Sequence, residues 1–259
     1  MQFRRNPANS QPENTGRPDG APVHRSLIQS IGLLGVFFFV GATSAVAITT
    51  AGASARATHL HYDAFLSGVP IGTAIVTVDV DSGRYRISGT ARSQGVAHLF
   101  SGWRSDFLAV GMIEAGQPVL GAYAYDEREK KKHRVLWLTD GTVRQVKNNE
   151  VRPSRPTQTG TDILTAFFLA PDCWSDRQLH TGRYSYRITG KPSKHPDGCH
   201  FVVTDDDGDR SRFHVRFGEF NGLRVPVEAT TRGFLRGSVR LRTGQEKQTT
   251  VDVQLADRQ

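Results

Sequence analysis

From Leu60 onward, apolar and polar positions alternate along the chain. Val76, Val78 and Val80 are separated by Thr77 and Asp79, Tyr85 and Ile87 lie among Arg84, Arg86 and Ser88, and Phe213, Val215 and Phe217 alternate with Arg212, His214 and Arg216. A period of two buries one face of a strand and wets the other. The same pattern returns at Val225 and Val227, at Val239 and Leu241, and at Val251, Val253 and Leu255. Turn signals stand between the runs at Asp81-Ser-Gly83, Asp140-Gly141, Asp207-Gly208 and Thr243-Gly244. The spacing predicts about a dozen short strands in antiparallel meanders. No strand–helix alternation supports a parallel sheet.

One segment departs from this period. Thr161 is placed to cap a helix opened by Asp162, and Ile163, Leu164, Phe167 and Phe168 form a stripe at helical spacing, with Ala166 and Leu169 beside it and Pro171 closing it. A helix that is apolar nearly all round belongs inside a protein. The expected fold is therefore mainly β: one strongly curved antiparallel sheet, a β-spiral or partial barrel, wrapped around a single buried helix. A shorter helical turn is expected at residues 96–100. The stretch 151–159, with Pro153 and Pro156, reads as a loop leading into the main helix.

The N-terminus has a different composition. Residues 1–25 are rich in Pro, Asn and Gly and carry Arg4, Arg5, Arg17, His24 and Arg25 against Glu13 and Asp19. An uncharged run follows, with its apolar centre at residues 31–40, and then two small-x-small sequences, Ala45-Val46-Ala47 and Ala55-Arg56-Ala57. That is the order of an export signal, with cleavage expected after Ala57 or Ala47. Residues 31–48 could instead remain as an uncleaved anchor in the inner membrane. Either way the domain at 58–259 is expected in the periplasm, and residues 1–57 form its targeting segment.

Charge narrows the partners. The whole chain of 259 residues carries 33 Lys+Arg and 25 Asp+Glu; without residues 1–57, 28 basic residues still face 23 acidic ones. The strongest basic run, Lys130, Lys131, Lys132, His133 and Arg134, is predicted at a hairpin tip. Together with the strand residues Arg212 and Arg216 it is the candidate surface for an anionic partner. An exported chain meets lipid, lipopolysaccharide, peptidoglycan or another envelope protein rather than nucleic acid. The wider set Arg84, Arg86, Arg212, Arg216, Arg240 and Arg242 would form one basic sheet surface if its strands were neighbours.

Cys173 and Cys199 form an even pair in an exported body, so a structural disulfide is expected. No cofactor or metal site is expected. Asp205-Asp-Asp-Gly-Asp209 lacks the alternate ligands and terminal Glu of a calcium loop and reads as a hairpin turn. His59, His61 and Asp63 share a strand face but stand beside a terminus. The chain lacks GxSxG, HExxH, phosphate-loop and dinucleotide signatures, and no catalytic residue is expected.

Several landmarks resemble a bacterial family catalogued as domain of unknown function 3108. Tyr62 followed by Gly68-Val-Pro-Ile-Gly72 is similar to its opening strand and turn, and Pro118 with Tyr123 and Tyr125 to the strand before its basic hairpin. Asp162-Ile-Leu-Thr-Ala166 resembles its helix start, and Cys173, Gly182-Arg-Tyr184, Tyr186 and Cys199 its cysteine element. Ile163 stands where that family usually has Pro, and His180-Thr181 where it often has Phe-Asp. The resemblance covers most of residues 60–245 and implies an exported, β-rich envelope protein. The resulting expectation is a non-enzymatic periplasmic protein that supports envelope integrity or assembly by binding an envelope partner. A carrier of lipid or another apolar ligand is the alternative, and a cell-wall glycan hydrolase the third reading.

Overall fold

The computed structural model describes residues 57–157, 160–231 and 236–242. The expected targeting segment, save Ala57, and the alternating run from Val251 to Leu255 lie outside the described residues. The elements in chain order are β1 (Thr58–Leu66), β2 (Val69–Asp81), β3 (Arg84–Ser93), α1 (Gly95–Ser101), β4 (Arg104–Glu114), β5 (Gln117–Glu129), β6 (Lys132–Thr139), β7 (Thr142–Lys147) and β8 (Glu150–Pro156). They continue with β9 (Thr161–Asp162), α2 (Ile163–Leu169), β10 (Arg177–His180), β11 (Ser185–Pro192), β12 (Gly198–Asp205), β13 (Arg210–Phe220), β14 (Leu223–Thr231) and β15 (Gly237–Leu241).

All the strands join one mainly antiparallel sheet that does not close, in the order β8-β7-β6-β5-β4-β3-β2-β1-β15-β14-β13-β12-β11-β10-β9. The described first and last strands pair at its centre; the chain runs outward from β1 to the edge at β8 and then inward from the other edge, β9, to β15. The edge strands β8 and β9 are consecutive in the chain, with four residues between them. Hairpin turns fix each register. Ser82, Ala115, Lys130, Asp140 and Asn221 occupy the left-handed region at first turn positions, each followed by Gly except Lys130.

Two expectations about this sheet need correction. Residues 150–156 form a strand, not a loop, because β8 is an edge strand, where proline removes no ladder bond that a neighbour needs. Pro153 sits at an irregularity in the β7–β8 register, between the pairs Gln145↔Arg152 and Val143↔Arg155. The second is the pairing of β9 with β10, which is parallel: Thr161 lies against Leu179 and Asp162 against His180. Two residues carry no readable period, so only the fold reveals this pair.

One face of the sheet is apolar. Leu60, Ile87, Tyr123, Leu136, Phe201 and Phe217 are among its fully enclosed side chains. Aromatic rings on this face lie over glycines directly opposite them. Phe107 faces Gly89, Tyr85 faces Gly111 and Phe201 faces Gly190. A Cβ on each of these glycines would come within 2.7 Å, 2.6 Å and 2.6 Å of its ring. Such ring-over-glycine pairs, together with register shifts at Ala64/Phe65, Val110/Gly111 and Arg216/Phe217, are the devices by which sheets bend and coil.

Helix α2 touches strands from both halves of the sheet, β3 and β5 on one side and β10 and β14 on the other. Ile163, Leu164, Phe167 and Phe168 are each less than 9 % exposed. Phe167 makes edge contacts with Trp174 and Phe201, with ring centroids 5.1 Å and 6.1 Å away, and Phe168 meets Tyr62 at 6.3 Å. The N-cap is Asp162, one residue later than the sequence suggests: its Oδ1 accepts the Thr165 N–H at 3.0 Å. The helix begins at Ile163, so Thr161 stands one residue before the cap position. Beyond the helix, Cys173 and Cys199 stand at disulfide distance with their Cα atoms 5.3 Å apart, tying the segment after α2 to β12. No described helix is long and apolar enough to cross a membrane.

Candidate functional site

The β1–β2, β3–α1–β4 and β5–β6 connections emerge at one end of the sheet, because the strands alternate in direction. At this end the register sets three arginines abreast on the wet face: Arg92 of β3 lies opposite Arg104 of β4, Arg104 opposite Arg128 of β5, and Arg128 opposite His133 of β6. Directly opposed residues on neighbouring strands have Cα atoms about 4.5–5.5 Å apart, and like charges so placed weaken a sheet. Two residues further along the strands, on the same face, Asp106 and Asp126 face each other and partly offset this repulsion. Arg104 Nη2 donates to Asp106 Oδ1 at 3.0 Å, Arg128 Nη2 donates to Asp126 Oδ2 at 3.2 Å, and His133 Nε2 lies 3.0 Å from Asp126 Oδ1. The carboxylate of Asp126 pushes the Arg128 guanidinium further toward its protonated form.

The basic hairpin completes this end. Residues 92–106 and 126–134 hold seven Lys and Arg against four Asp and Glu. Each of the four carboxylates is engaged: Asp106 and Asp126 as above, Glu127 with Arg134, and Glu129 with Lys132 at 3.4 Å. Arg92 and the turn residues Lys130 and Lys131 have no ion pair among the described residues.

The candidate residues identified in the sequence do not form one patch. Lys130, Lys131, Lys132 and His133 belong to this end. Arg134 points to the opposite face, its side chain 12 % exposed and bound to Glu127. Arg212 and Arg216 lie on β13, with seven strands between β13 and β6 in the sheet order. The strands of Arg84 and Arg86 (β3), Arg212 and Arg216 (β13) and Arg240 (β15) are not neighbours, so the condition for one basic surface fails. Carboxylates also break that row: Glu228 takes Arg216 at 3.3 Å and Arg240 at 3.1 Å, and Asp63 takes Arg242 Nε at 2.8 Å. That contact removes Asp63 from any grouping with His59 and His61, and His59 Nδ1 lies 3.0 Å from Thr77 Oγ1. Arg92, Arg104 and Arg128 were missed because their alignment depends on strand register. The one signal available was that Arg92 and Arg104 flank the same short helical turn.

Beside the arginine row stands α1. None of its residues is buried, and Val96, Leu99 and Phe100 are 57 %, 80 % and 70 % exposed. Their i, i+3, i+4 spacing puts them on one helical face. Polar ties fix the helix at both ends. Gln94 N–H donates to Ile71 O at 2.8 Å, Gly102 N–H donates to His98 O at 2.8 Å, and Ser93 Oγ donates to Trp103 O at 3.1 Å and lies 3.3 Å from His98 Nδ1. The adjacent start of β2 adds Val69, 52 % exposed.

The Asp205–Asp209 segment is a hairpin turn in which Asp205 Oδ1 accepts the Asp207 and Asp209 N–H groups at 3.1 Å and 2.8 Å. A different polar cluster is enclosed beneath α2. Asp162 is fully buried, its Oδ2 has no hydrogen-bond partner among the described residues, and burial raises its pKa to about 6. Tyr85 donates to or accepts from Thr165 Oγ1 at 3.1 Å, and the buried Tyr123 hydroxyl is held protonated by desolvation and the nearby Asp162 charge. The His180 pKa is lowered by its burial. Asp162, Thr165, Tyr123, His180 and Tyr85 are all buried and are read as core. In comparisons with family models, curated proteins and solved structures, the chain matches none.

Proposed function

We propose that this chain is a non-enzymatic, exported protein of the bacterial envelope that binds an anionic envelope component at the end of the sheet formed by β3–β6. The observation that carries the reading is the cross-strand row Arg92–Arg104–Arg128 ending beside Lys130 and Lys131. Folding alone disfavours like charges abreast, whereas a planar array of guanidinium forks suits phosphate or carboxylate groups. The export signal at residues 1–57 and the resemblance to domain of unknown function 3108 support a periplasmic location, free or anchored to the inner membrane.

The same reading holds that the sheet is strongly curved around α2. Fifteen strands laid flat at about 4.8 Å spacing would hold β8 and β9 roughly 65 Å apart, yet the four residues joining them reach about 18 Å at most. Support also comes from Arg155 of β8, whose Nη2 donates to Gly182 O of the β10–β11 turn at 2.8 Å. The alternative of an apolar-ligand carrier would require inner-face side chains open to a ligand. Tyr123, Phe201 and Phe217 are closed off instead.

Retention on isolated envelope tests the binding claim. The exported chain should bind lipopolysaccharide, peptidoglycan sacculi or anionic vesicles, and added salt should weaken that binding. Arg92→Glu and Lys131→Glu should each reduce it, while Arg212→Glu should not. Equal retention of all three variants would contradict the proposal.

A further inference from the structure

Resting on the anionic-partner reading, we infer that this end of the protein docks on the surface of an anionic lipid bilayer, with Val96, Leu99 and Phe100 of α1 entering the headgroup region between the basic groups. A seven-residue helix gains little from its own backbone and normally persists by burying an apolar stripe. Here the stripe faces solvent, while the smaller Ala97 and Ser101 lie on the side toward the body and are half-buried. A continuous exposed apolar patch marks an interaction surface. Its neighbours select the partner: Arg92 and Arg104 bracket the helix in sequence and face each other across the ladder beneath it, and the Lys130–Lys131 turn emerges from the adjacent hairpin at the same end. Apolar side chains projecting from a base of arginine and lysine match a surface that is apolar within and anionic outside. Soluble polyanions and glycan strands offer the charge but nothing for Leu99 and Phe100. The acidic turn at Asp205–Asp209 belongs to β12–β13, across the sheet order from β3–β6, so approach to an anionic surface favours the β3–β6 sector.

The inference separates from the broader reading by a local readout. The exported chain carrying Val96→Cys is labelled with an environment-sensitive nitrobenzoxadiazole group and mixed with vesicles of phosphatidylcholine, with or without one third phosphatidylglycerol. Ser82→Cys, in the β2–β3 turn at the opposite end, is the control. The label at 96 should shift to the blue and become protected from an aqueous quencher with anionic vesicles only, and the label at 82 should stay exposed. Leu99→Ser with Phe100→Ser should lower vesicle affinity on the order of 100-fold, since each side chain forgoes its apolar transfer. Lys130→Glu with Lys131→Glu should lower it about 10- to 100-fold in low salt. All these positions are exposed, so circular dichroism and melting should match the parent. If the lysine variant loses binding while the label at 96 stays wet and the serine variant binds normally, the bilayer inference is wrong and the anionic-partner reading stands. If neither variant loses binding to vesicles or envelope, both are wrong.

Discussion

Truncating Phe167 to alanine is the sharpest probe of how α2 holds the sheet together. The side chain is 4 % exposed and packs against both Trp174 and Phe201, whose own rings stand 5.4 Å apart, so the three form one cluster. Phe201 belongs to β12, and Trp174 follows the helix, so one ring joins helix, sheet and connecting segment. A buried phenylalanine removes roughly 150–250 Å² from water, worth about 4–6 kcal/mol at about 25 cal/mol per Å². Alanine keeps the Cβ, and the aromatic cluster can close only in part, because the disulfide at Cys173 and Cys199 pins both of its flanks. The expected loss is about 3–5 kcal/mol, or a fall in Tm of roughly 6–20 °C for a domain of this size. Urea unfolding followed by far-ultraviolet circular dichroism and by tryptophan fluorescence measures it, with Phe100→Ala on the exposed helix as the control, expected within about 0.5 kcal/mol. A loss below about 1 kcal/mol for Phe167→Ala would refute the claim that α2 is an integral part of the core.

Two further outcomes follow from the enclosed polar groups and the cysteines. Asp162 has a folded pKa of about 6 against 3.8 in the unfolded chain, so the native state binds the proton more tightly. The contribution of this group to stability should be greatest below about pH 4 and fall by up to about 3 kcal/mol as pH rises to about 6. Asp162→Asn should keep the cap to Thr165 and flatten that slope, whereas Asp162→Ala should lose the cap as well, costing about 1 kcal/mol; an unchanged slope in the asparagine variant would contradict the assignment. Replacing both Cys173 and Cys199 with alanine opens a loop with a sequence separation of 26 and should lower stability by about 3.5 kcal/mol in the chain-entropy treatment. A melt of the oxidised parent against the double variant checks it.

The strands were legible because alternation is a local property: Ile87, Phe213, Val215 and Leu241 face inward as their period requires. Val80 keeps the period but is 37 % exposed, although Tyr85 directly opposite it on β3 is buried. The stripe Ile163, Leu164, Phe167, Phe168 identified α2 by the same local logic. Proline misled at β8, because the rule that excludes it from sheets depends on a strand having two neighbours, which sequence does not reveal. The site was less legible. Arg92, Arg104 and Arg128 come together through register over two hairpins, while Arg212 and Arg216, equally prominent in sequence, are carried away by a strand order in which β1 pairs with β15. For α1 the spacing of Val96, Leu99 and Phe100 was visible, but apolar periodicity ordinarily signals burial. Only the fold, which ends beneath Ala97 and Ser101, turns that face outward.

Hydrogen exchange on the protein, with and without anionic vesicles, tests the location of the proposed binding surface most directly. Bound protein should show slowed exchange in α1 and in the Lys130–Lys131 turn, with unchanged exchange at the Ser82, Ala115 and Asp140 turns of the opposite end. Protection at the opposite end, or along β13 around Arg212 and Arg216 instead of at α1, would contradict the account.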